Sequence, residues 1–435
     1  MGKITIVNYP PRDAWEELLR RPEGRGENLE KVCEAIFEEV RREGDAAALK
    51  YTWHFDRVRL DRLDVTEEEF EVADQAVSPA LKEAILLAKG NIEAFHALQR
   101  PARRACERED AHGFRCWQEA RPIERVGLYV PGGSAPLFST VLMLAVPARL
   151  AGCAEIGLCT PPGRDGKVHP AILWSARACG VTRVFKLGGV QAIAAMTFGT
   201  GSVGRVDKIF GPGNPFVTAA KQRASTLGVA IDLPAGPSEL MVVADETADP
   251  RFVAADLLSQ AEHGPDSQVF LVTREEELPA RVEAEVERQL RALPRREVAE
   301  QALAASTCVV LRTREECVEM INRYAPEHLM LSVSDPAAWV PLVRHAGSVF
   351  LGHYSPESAG DYASGTNHTL PTGGYARACS GVSVESFMKR ISFQEISPRG
   401  LAYLAPAIEV MAENEGLIAH RNAVRARVNR SLTEE

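Results

Sequence analysis

Apolar and charged residues follow a helical period over residues 1–100. Apolar side chains recur at three- and four-residue spacing, with charged side chains opposite, in segments such as NLEKVCEAIFEEVRREGDAAALKYTWHFD and SPALKEAILLAKGNIEAFHALQR. This spacing predicts amphipathic α-helices. Residues 113–131 instead carry alternating and β-favouring side chains, so we predict a boundary near this segment.

From residue 126 onwards, short β-favouring runs alternate with helical segments. The first series predicts strands at VGLYV, EIGLCT, RVFKL, DKIF and VAID, and a second series runs from ELMVVAD to GSVFLG. This alternation predicts parallel sheets covered by helices, and two such units predict a ligand cleft between them. Residues 379–435 show a charged helical pattern, which predicts a tail that packs on another domain or subunit.

The segment GDYASGTNHTLPTGGY, residues 360–375, interrupts the alternation with four glycines and a proline. Such residues predict a loop with repeated turns. Asp361 and His368 provide a carboxylate and an imidazole, although an ordinary surface loop is the simpler explanation of an isolated pair. The pair is not isolated, because the same half of the chain offers further ligands and bases: Gln260, His263, Glu327, His328 and His420.

Two of these pairs have informative local contexts. Gln260 and His263 lie three residues apart at a predicted helix end, so both face one side, but alone they suit an exposed helix end better than a metal site. Glu327 and His328 directly precede the predicted strand LMLSV. At such a junction both side chains can reach a cleft and serve as base and proton shuttle, and a solvated turn is the alternative.

Two glycine-rich turns lie in the first strand–helix series. YVPGGSAPLFS follows VGLYV, and FGPGNPFVTAAK follows DKIF. Each places flexible backbone between a strand end and a helix start, where N–H groups and the helix dipole can receive an anion. Neither matches a G-x-G-x-x-G or Walker A motif, and a turn without ligand explains either one alone. Their occurrence together favours a phosphate-bearing cofactor.

Composition narrows the class of protein. The chain has 435 residues and a net charge of −9, which argues against a nucleic-acid partner. The N-terminus lacks an apolar signal segment and no stretch of about 18 apolar residues occurs, so we expect no membrane partner and a cytoplasmic location.

The nine cysteines form no C-x-x-C motif, which disfavours a disulfide framework or thiolate zinc site. Cys153 is expected to be a packed thiol, with a nucleophile as the alternative.

Several motifs together resemble the histidinol dehydrogenase family. They occur in order and cover most of the chain: VGLYVPGGSAPLFSTVLMLAVPARLAGC, DKIFGPGNPFVTAAK, DLPAGPSE, LLSQAEHGPDSQ, YAPEHL, GDYASGTNHTLPT and EGLIAHRNAV. The resemblance implies a zinc-dependent, NAD-linked enzyme that converts L-histidinol through L-histidinal to L-histidine, the final steps of histidine biosynthesis. It also implies a homodimer and an α/β fold of two incomplete Rossmann-like parallel-sheet domains, similar to aldehyde dehydrogenases, with helical N-terminal and C-terminal extensions.

The expected domain division follows from this resemblance and the strand pattern. We expect an N-terminal arm at 1–25, a first α/β domain from 26–120 with 238–378, a second from 121–237, and a dimerising helical tail at 379–435.

The resemblance assigns roles residue by residue. Glu327 is similar to the base that activates water in the second oxidation, and His328 to the group that takes the alcohol proton in the first. The implied zinc ligands are Gln260, His263, Asp361 and His420, with His420 contributed across the dimer interface. The implied NAD contacts are Tyr129, Gln191 and Asn214. The implied substrate contacts are Ser238, Gln260, His263, His328, Asp361, His368, Glu415 and His420.

Three other functions fit part of this pattern. A metal-dependent hydrolase would use similar ligands, but it needs no cofactor and leaves the glycine-rich turns unexplained. A thiol-dependent aldehyde dehydrogenase would use Cys153 as nucleophile. A non-catalytic metal or nucleotide sensor would not need the Glu327–His328 pair.

The sequence departs from the family at Pro215, where bulky apolar residues are usual.

Overall fold

The computed structural model describes residues 4–22, 29–132, 136–233 and 236–428. They belong to two compact units: a larger one formed by residues 1–99 and 123–387, and a smaller one formed by residues 100–122 and 388–435. Within the described ranges, no helix has both the length and the apolar character needed to cross a membrane.

A six-stranded parallel sheet forms one half of the larger unit. Its strands are β1 (Thr5–Asn8), β9 (Glu239–Ala244), β10 (Gln268–Thr273), β11 (Thr307–Val310), β12 (His328–Ser332) and β13 (Ser348–Leu351), in the order β1-β11-β10-β9-β12-β13. Its helices are α1 (Trp15–Leu18), α10 (Pro250–Ala261), α11 (Leu278–Leu290), α12 (Arg296–Ala304), α13 (Arg314–Tyr324) and α14 (Glu357–Tyr362). Strands β9 and β10 are buried throughout, as continuous apolar runs in a covered parallel sheet should be.

A five-stranded parallel sheet forms the other half of the larger unit. Its strands are β4 (Arg125–Tyr129), β5 (Glu155–Thr160), β6 (Arg183–Lys186), β7 (Lys208–Phe210) and β8 (Ala230–Ile231), in the order β6-β5-β4-β7-β8. Its helices are α6 (Phe138–Ala151), α7 (Pro170–Ala178), α8 (Gly189–Phe198) and α9 (Pro215–Thr226). The predicted α/β class with two parallel sheets is therefore confirmed.

The N-terminal helices cover the five-stranded sheet. They are α2 (Leu29–Glu43), α3 (Asp45–Asp56), α4 (Glu67–Ala76) and α5 (Pro79–Ala97). Helix α2 buries Ile36 and Phe37 in one core with Ile193 of α8 and Val217 of α9. This packing differs from the division expected from the sequence, which groups residues 26–120 with the other sheet. Strand β1, which pairs with β11, was not expected in the mainly helical N-terminal region.

The smaller unit contains an antiparallel sheet and two helices. Strands β2 (Arg104–Glu109), β3 (Phe114–Pro122) and β14 (Met388–Ile396) lie in the order β14-β3-β2, followed by helices α15 (Pro398–Asn414) and α16 (Ile418–Val428). The expectation of an entirely helical C-terminal region is therefore wrong at β14. Its Phe393 pairs with Trp117 of β3 and stacks on it, and such aromatic cross-strand pairs stabilise strands.

Candidate active site

Glu327 and His328 are buried at the amino end of strand β12. The backbone of Glu239, the first residue of β9, holds both side chains. Its N–H donates to Oε2 of Glu327 at 2.9 Å, and its carbonyl accepts from Nδ1 of His328 at 3.2 Å. Because a carbonyl can only accept, Nδ1 carries a proton and Nε2 of neutral His328 carries the lone pair.

Among the predicted metal ligands of the larger unit, Asp361 lies close to both this Nε2 atom and His263. Gln260 lies in the last turn of α10, His263 follows that helix, and Asp361 lies on α14 rather than in the predicted loop. Oδ1 of Asp361 is 3.6 Å from Nε2 of His328, and Oδ2 is 3.9 Å from Nε2 of His263. Nε2 of His328 is buried without a hydrogen-bond partner in the described chain, which indicates a place for a ligand or substrate.

Glu357 is a site residue that the sequence reasoning missed. It lies one helical turn before Asp361 on α14, and its carboxylate is buried. Ligand atoms of His263, Glu357 and Asp361 all lie within 4.8 Å of one another, as a metal site requires. The four-residue spacing of Glu357 and Asp361 was a usable signal, but only if the segment had been recognised as helical.

The charges of this cluster favour a bound cation. Burial, together with the Asp361 and Glu327 carboxylates, raises the pKa of Glu357 to about 8. Burial also raises the pKa of Glu327. For His328, burial opposes the charged form, but the Glu327, Glu357 and Asp361 carboxylates outweigh it and raise the pKa well above its ordinary value. Three carboxylates compete for few protons here, so a cation would relieve their repulsion.

His368 and Ser238 border the same cluster. Nδ1 of His368 donates to the backbone carbonyl of Asp361 at 2.9 Å, and its Nε2 lies 3.2 Å from Oγ1 of Thr140 on α6. His368 therefore joins the segment that carries Asp361 to helix α6 of the other sheet. Ser238 immediately precedes Glu239 and is half-buried.

His420 and Glu415 belong to the smaller unit. Glu415 caps the C-terminal end of α15, His420 lies near the start of α16, and both are exposed. The structure therefore brings together Gln260, His263, Asp361, Glu327, His328 and His368 within the larger unit, but gives His420 and Glu415 only on the exposed helices of the other unit.

The predicted cofactor residues lie at the carboxyl edge of the five-stranded sheet. Tyr129 ends β4, and its hydroxyl accepts a hydrogen bond from the N–H of Gly189 at 3.0 Å. Gln191 is buried in the first turn of α8, and both of its amide atoms lack partners among the described residues. Buried, unpaired amide groups at a helix start indicate a place for a polar ligand.

Asn214 caps α9, accepting from the N–H of Val217 at 3.0 Å. Pro215 occupies the first position of that helix, where proline is well tolerated. A buried ion pair between Lys221 and Asp232 underlies the preceding turn. Lys221 donates to the carbonyl of Gly211 at 2.7 Å, and Asp232 accepts from the N–H of the same glycine at 2.7 Å.

A cavity of about 740 Å³ opens beside this edge. Gly132 and Pro161, which follow β4 and β5, line it together with Asp56, whose charge acts on Tyr129. One carboxylate oxygen of Asp56 is buried without a partner in the described ranges. Such a concave space with few polar groups is typical of small-molecule sites.

Cys153 has the environment of a packed thiol. It lies between α6 and β5, is half-buried, and burial raises its pKa to about 12. A nucleophilic cysteine needs a lowered pKa, so this environment disfavours the thiol alternative.

Two parallel sheets with a buried acid–base cluster at the edge of one of them define an α/β enzyme. A sequence profile of histidinol dehydrogenases matches residues 19–428. A histidinol dehydrogenase from Bacteroides fragilis is 57% identical over 98% of this chain and 99% of its own, and one from Shigella dysenteriae is 51% identical over 99% of both. A crystal structure of the enzyme from Elizabethkingia anophelis superposes with a TM-score of 0.96, at 50% identity over 100% of both chains. The chain belongs to the histidinol dehydrogenase family, and it is an oxidoreductase.

Proposed function

We propose that this protein oxidises L-histidinol through L-histidinal to L-histidine with two NAD, at a zinc site formed by Gln260, His263, Asp361 and His420 of a second copy. The observation that carries the proposal is that Asp361 lies close to both His263 and the Nε2 atom of His328, which has no hydrogen-bond partner among the described residues. A proton acceptor then lies next to candidate ligands of the ion that would hold the substrate.

The donor set fits zinc. Imidazole nitrogens and carboxylate or amide oxygens are available without any thiolate, and zinc accepts nitrogen and oxygen ligands. When bound, zinc would hold nitrogen atoms of the substrate and so fix its carbinol carbon for reaction.

In the first oxidation His328 takes the alcohol proton in its neutral form, which a cation bound at Asp361 would favour by offsetting the nearby carboxylates. The Glu239 carbonyl holds the proton on Nδ1, so Nε2 is the accepting atom and faces Asp361. NAD, when bound, would accept the hydride released in each oxidation. A positioned imidazole of this kind contributes roughly 10²–10⁴-fold in rate.

In the second oxidation Glu327 acts on water. An aldehyde is oxidised further through its hydrate, which requires a base beside the aldehyde carbon. Burial raises the pKa of Glu327, and a carboxylate with a raised pKa is a stronger base than an ordinary one. The hydrogen bond from the Glu239 N–H to Oε2 fixes the orientation of this carboxylate.

NAD is proposed to bind at the carboxyl edge of the five-stranded sheet, in contact with Tyr129, Gln191 and Asn214. The unpaired amide of Gln191 and the neighbouring cavity support this location. Open α/β sheets commonly bind nucleotides at the carboxyl ends of their strands.

A homodimer is proposed to complete the zinc and substrate sites with His420 and Glu415. Apolar side chains exposed on α15 support an interface on this helix: Tyr403, Val410 and Met411. Mixing His420→Asn chains with His328→Gln chains tests the arrangement, because a mixed dimer would regain one intact site. Activity that stays at the level of the separate variants after subunit exchange would contradict it. A cytoplasmic location stays a prediction from the sequence.

The reaction is tested with purified protein, L-histidinol and NAD, by following NADH absorbance and product. We expect two NADH per L-histidine formed, and NADH formation about 10²–10⁴-fold slower with the His328→Gln variant at matched protein concentration. Absence of NADH from well-folded, zinc-loaded protein would overturn the proposal and favour a hydrolase or a non-catalytic sensor.

A further inference from the structure

The Glu357 carboxylate lies behind the candidate metal ligands and is 1% exposed. Its Oε2 accepts from Oγ of Ser259 at 3.1 Å, and its Oε1 lies 3.8 Å from Nδ1 of His328. The Gln260 amide contacts both carboxylate oxygens of Glu357, and it forms a hydrogen bond with the ionised carboxylate only when its nitrogen is turned towards Glu357 and its oxygen away from it. The buried Glu357 carboxylate of α14 therefore lies next to side chains of both α10 and β12.

We propose that Glu357 is a positioning residue that orients the Gln260 side chain so that its amide oxygen, and not its nitrogen, is available to the metal. The proposal rests on the zinc site of the proposed function.

Gln260 needs such a partner because its two amide branches have nearly the same shape. Only the oxygen can bind a metal ion, since an amide nitrogen donates hydrogen bonds and offers no lone pair. Gln260 is fully buried, so water cannot satisfy the unused branch. When a cation is bound nearby it favours the ionised form of Glu357, which only accepts hydrogen bonds, so contact with Glu357 directs the Gln260 nitrogen to α14 and leaves the oxygen for the metal.

The alternative is that Glu357 is itself a metal ligand, because its oxygen lies within 4.8 Å of ligand atoms of His263 and Asp361. Its contacts favour positioning. Oε2 already accepts from Ser259, and both carboxylate oxygens lie against the amide group of Gln260. Residues that hold metal ligands in this way commonly contribute 10–100-fold to metal affinity.

The main experiment measures zinc affinity by competition with a chromogenic chelator, for the wild-type chain and for Glu357→Gln. We expect affinity to fall about 10–100-fold in the variant. Glu262→Gln is the matched control, because Glu262 also adjoins the cluster at His263, but its carboxylate, unlike its backbone N–H, makes no hydrogen bond to Gln260 among the described residues. Its zinc affinity should match that of the wild type. An equal loss in both variants would mean a general charge effect and would overturn the proposal.

Exchanging the two side chains provides the second test. The double variant Gln260→Glu, Glu357→Gln keeps the total charge and one amide-to-carboxylate hydrogen bond, but presents a carboxylate, which needs no orientation, to the metal. We expect it to regain most of the affinity that Glu357→Gln loses. If Glu357→Gln does not fold, the double variant decides alone: failure of the folded double variant to bind zinc would contradict the proposal.

Cobalt substitution separates positioning from direct ligation. At saturating Co²⁺, Glu357→Gln should show the visible absorption spectrum of the wild-type protein, because the ligand atoms are unchanged. A changed spectrum would identify Glu357 as a ligand and overturn the proposal. If the wild-type chain binds neither metal, the zinc site of the proposed function fails instead.

Discussion

The two parallel sheets of the larger unit carry their candidate chemistry at opposite edges. In the six-stranded sheet, Glu239 and His328 are the first residues of their strands. In the five-stranded sheet, Tyr129 is the last residue of its strand. Only the second sheet follows the general tendency of open α/β sheets to bind ligands at the carboxyl ends of strands.

Helix polarity explains the difference. At the carboxyl edge of the five-stranded sheet, α8 and α9 present their positive N-terminal ends, which suit the phosphates of a dinucleotide. At the amino edge of the six-stranded sheet, α10 presents its negative C-terminal end beside Gln260, which suits a cation. Each edge therefore matches the charge of the ligand proposed for it.

The carboxyl edge of the six-stranded sheet is closed by hydrogen bonds. Asp245 accepts from the N–H and the hydroxyl of Ser334 and from Thr247. His353 links the hydroxyls of Ser332 and Thr247, at 2.9 and 3.0 Å. The polar groups at the carboxyl edge therefore satisfy one another. The Nε2 atom of His328, which has no partner among the described residues, lies at the amino edge of the same sheet.

The largest expected effect is the loss of turnover when zinc is removed from the site at the amino edge of the six-stranded sheet. Removing zinc with a chelator should abolish turnover, because the substrate loses the ion that holds it, and adding zinc should restore it. NAD binding, measured by titration in the absence of substrate, should change little. Full activity of the demetallated protein would refute the metal site, and parallel loss of NAD binding would show that the two edges are not independent.

The next prediction distinguishes the roles of Glu327 and His328, which lie at the same edge. Glu327→Gln should slow oxidation of the aldehyde more than that of the alcohol, because it removes the base for water. His328→Gln should slow removal of the alcohol proton. Each loss should be about 10²–10⁴-fold when each half-reaction is assayed from its own substrate.

Equal losses in both half-reactions for both variants, with zinc content and folding unchanged, would mean that Glu327 and His328 act as one unit. The separate roles assigned to them would then be wrong.

A third prediction concerns the carboxyl edge of the five-stranded sheet, where NAD is proposed to bind. Lys221→Met leaves Asp232 buried without its cation beneath the turn at Gly211. We expect a loss of roughly 3–5 kcal/mol in unfolding free energy, as for other broken buried ion pairs. We also expect a raised KM for NAD with unchanged zinc content.

Lys50→Met is the control for Lys221→Met, because Lys50 pairs with Glu39 at the surface, where an ion pair contributes at most about 1 kcal/mol. A KM for NAD that stays normal in folded Lys221→Met protein would show that the ion pair does not shape the cofactor turn.

The smallest expected effect is that of Cys153→Ala. Since the thiol lies outside both edges and its pKa is raised to about 12 by burial, turnover should not change. Loss of activity in folded protein, together with a trapped acyl-enzyme in the wild type, would favour thiol chemistry.

Much of this fold follows from the alternation of strands and helices in the sequence. The strands missed at Thr5–Asn8 and Met388–Ile396 pair with distant segments, and local patterns do not report such pairing. The sequence pattern of α2 predicts an apolar face, but does not tell which sheet covers it. These are tertiary properties, so sequence periodicity alone cannot supply them.

The candidate site was predictable to a different degree. Motif resemblance identified Asp361, His263 and His328, which the structure brings together. Glu357 was missed because its contact with Gln260 depends on the packing of α14 against α10, far apart in sequence.

The strand residue that holds the acid–base pair does so with its backbone only, which makes this arrangement tolerant of mutation. The side chain of Glu239 has other partners: it accepts from Nη2 of Arg21 at 2.9 Å and from the N–H of Gly373 at 2.7 Å. Substitutions at this position would remove the side-chain contacts to Arg21 and Gly373, yet would leave the two backbone hydrogen bonds to Glu327 and His328 in place. An engineer could therefore vary this side chain to change how Arg21 and Gly373 are held without rebuilding the reacting groups.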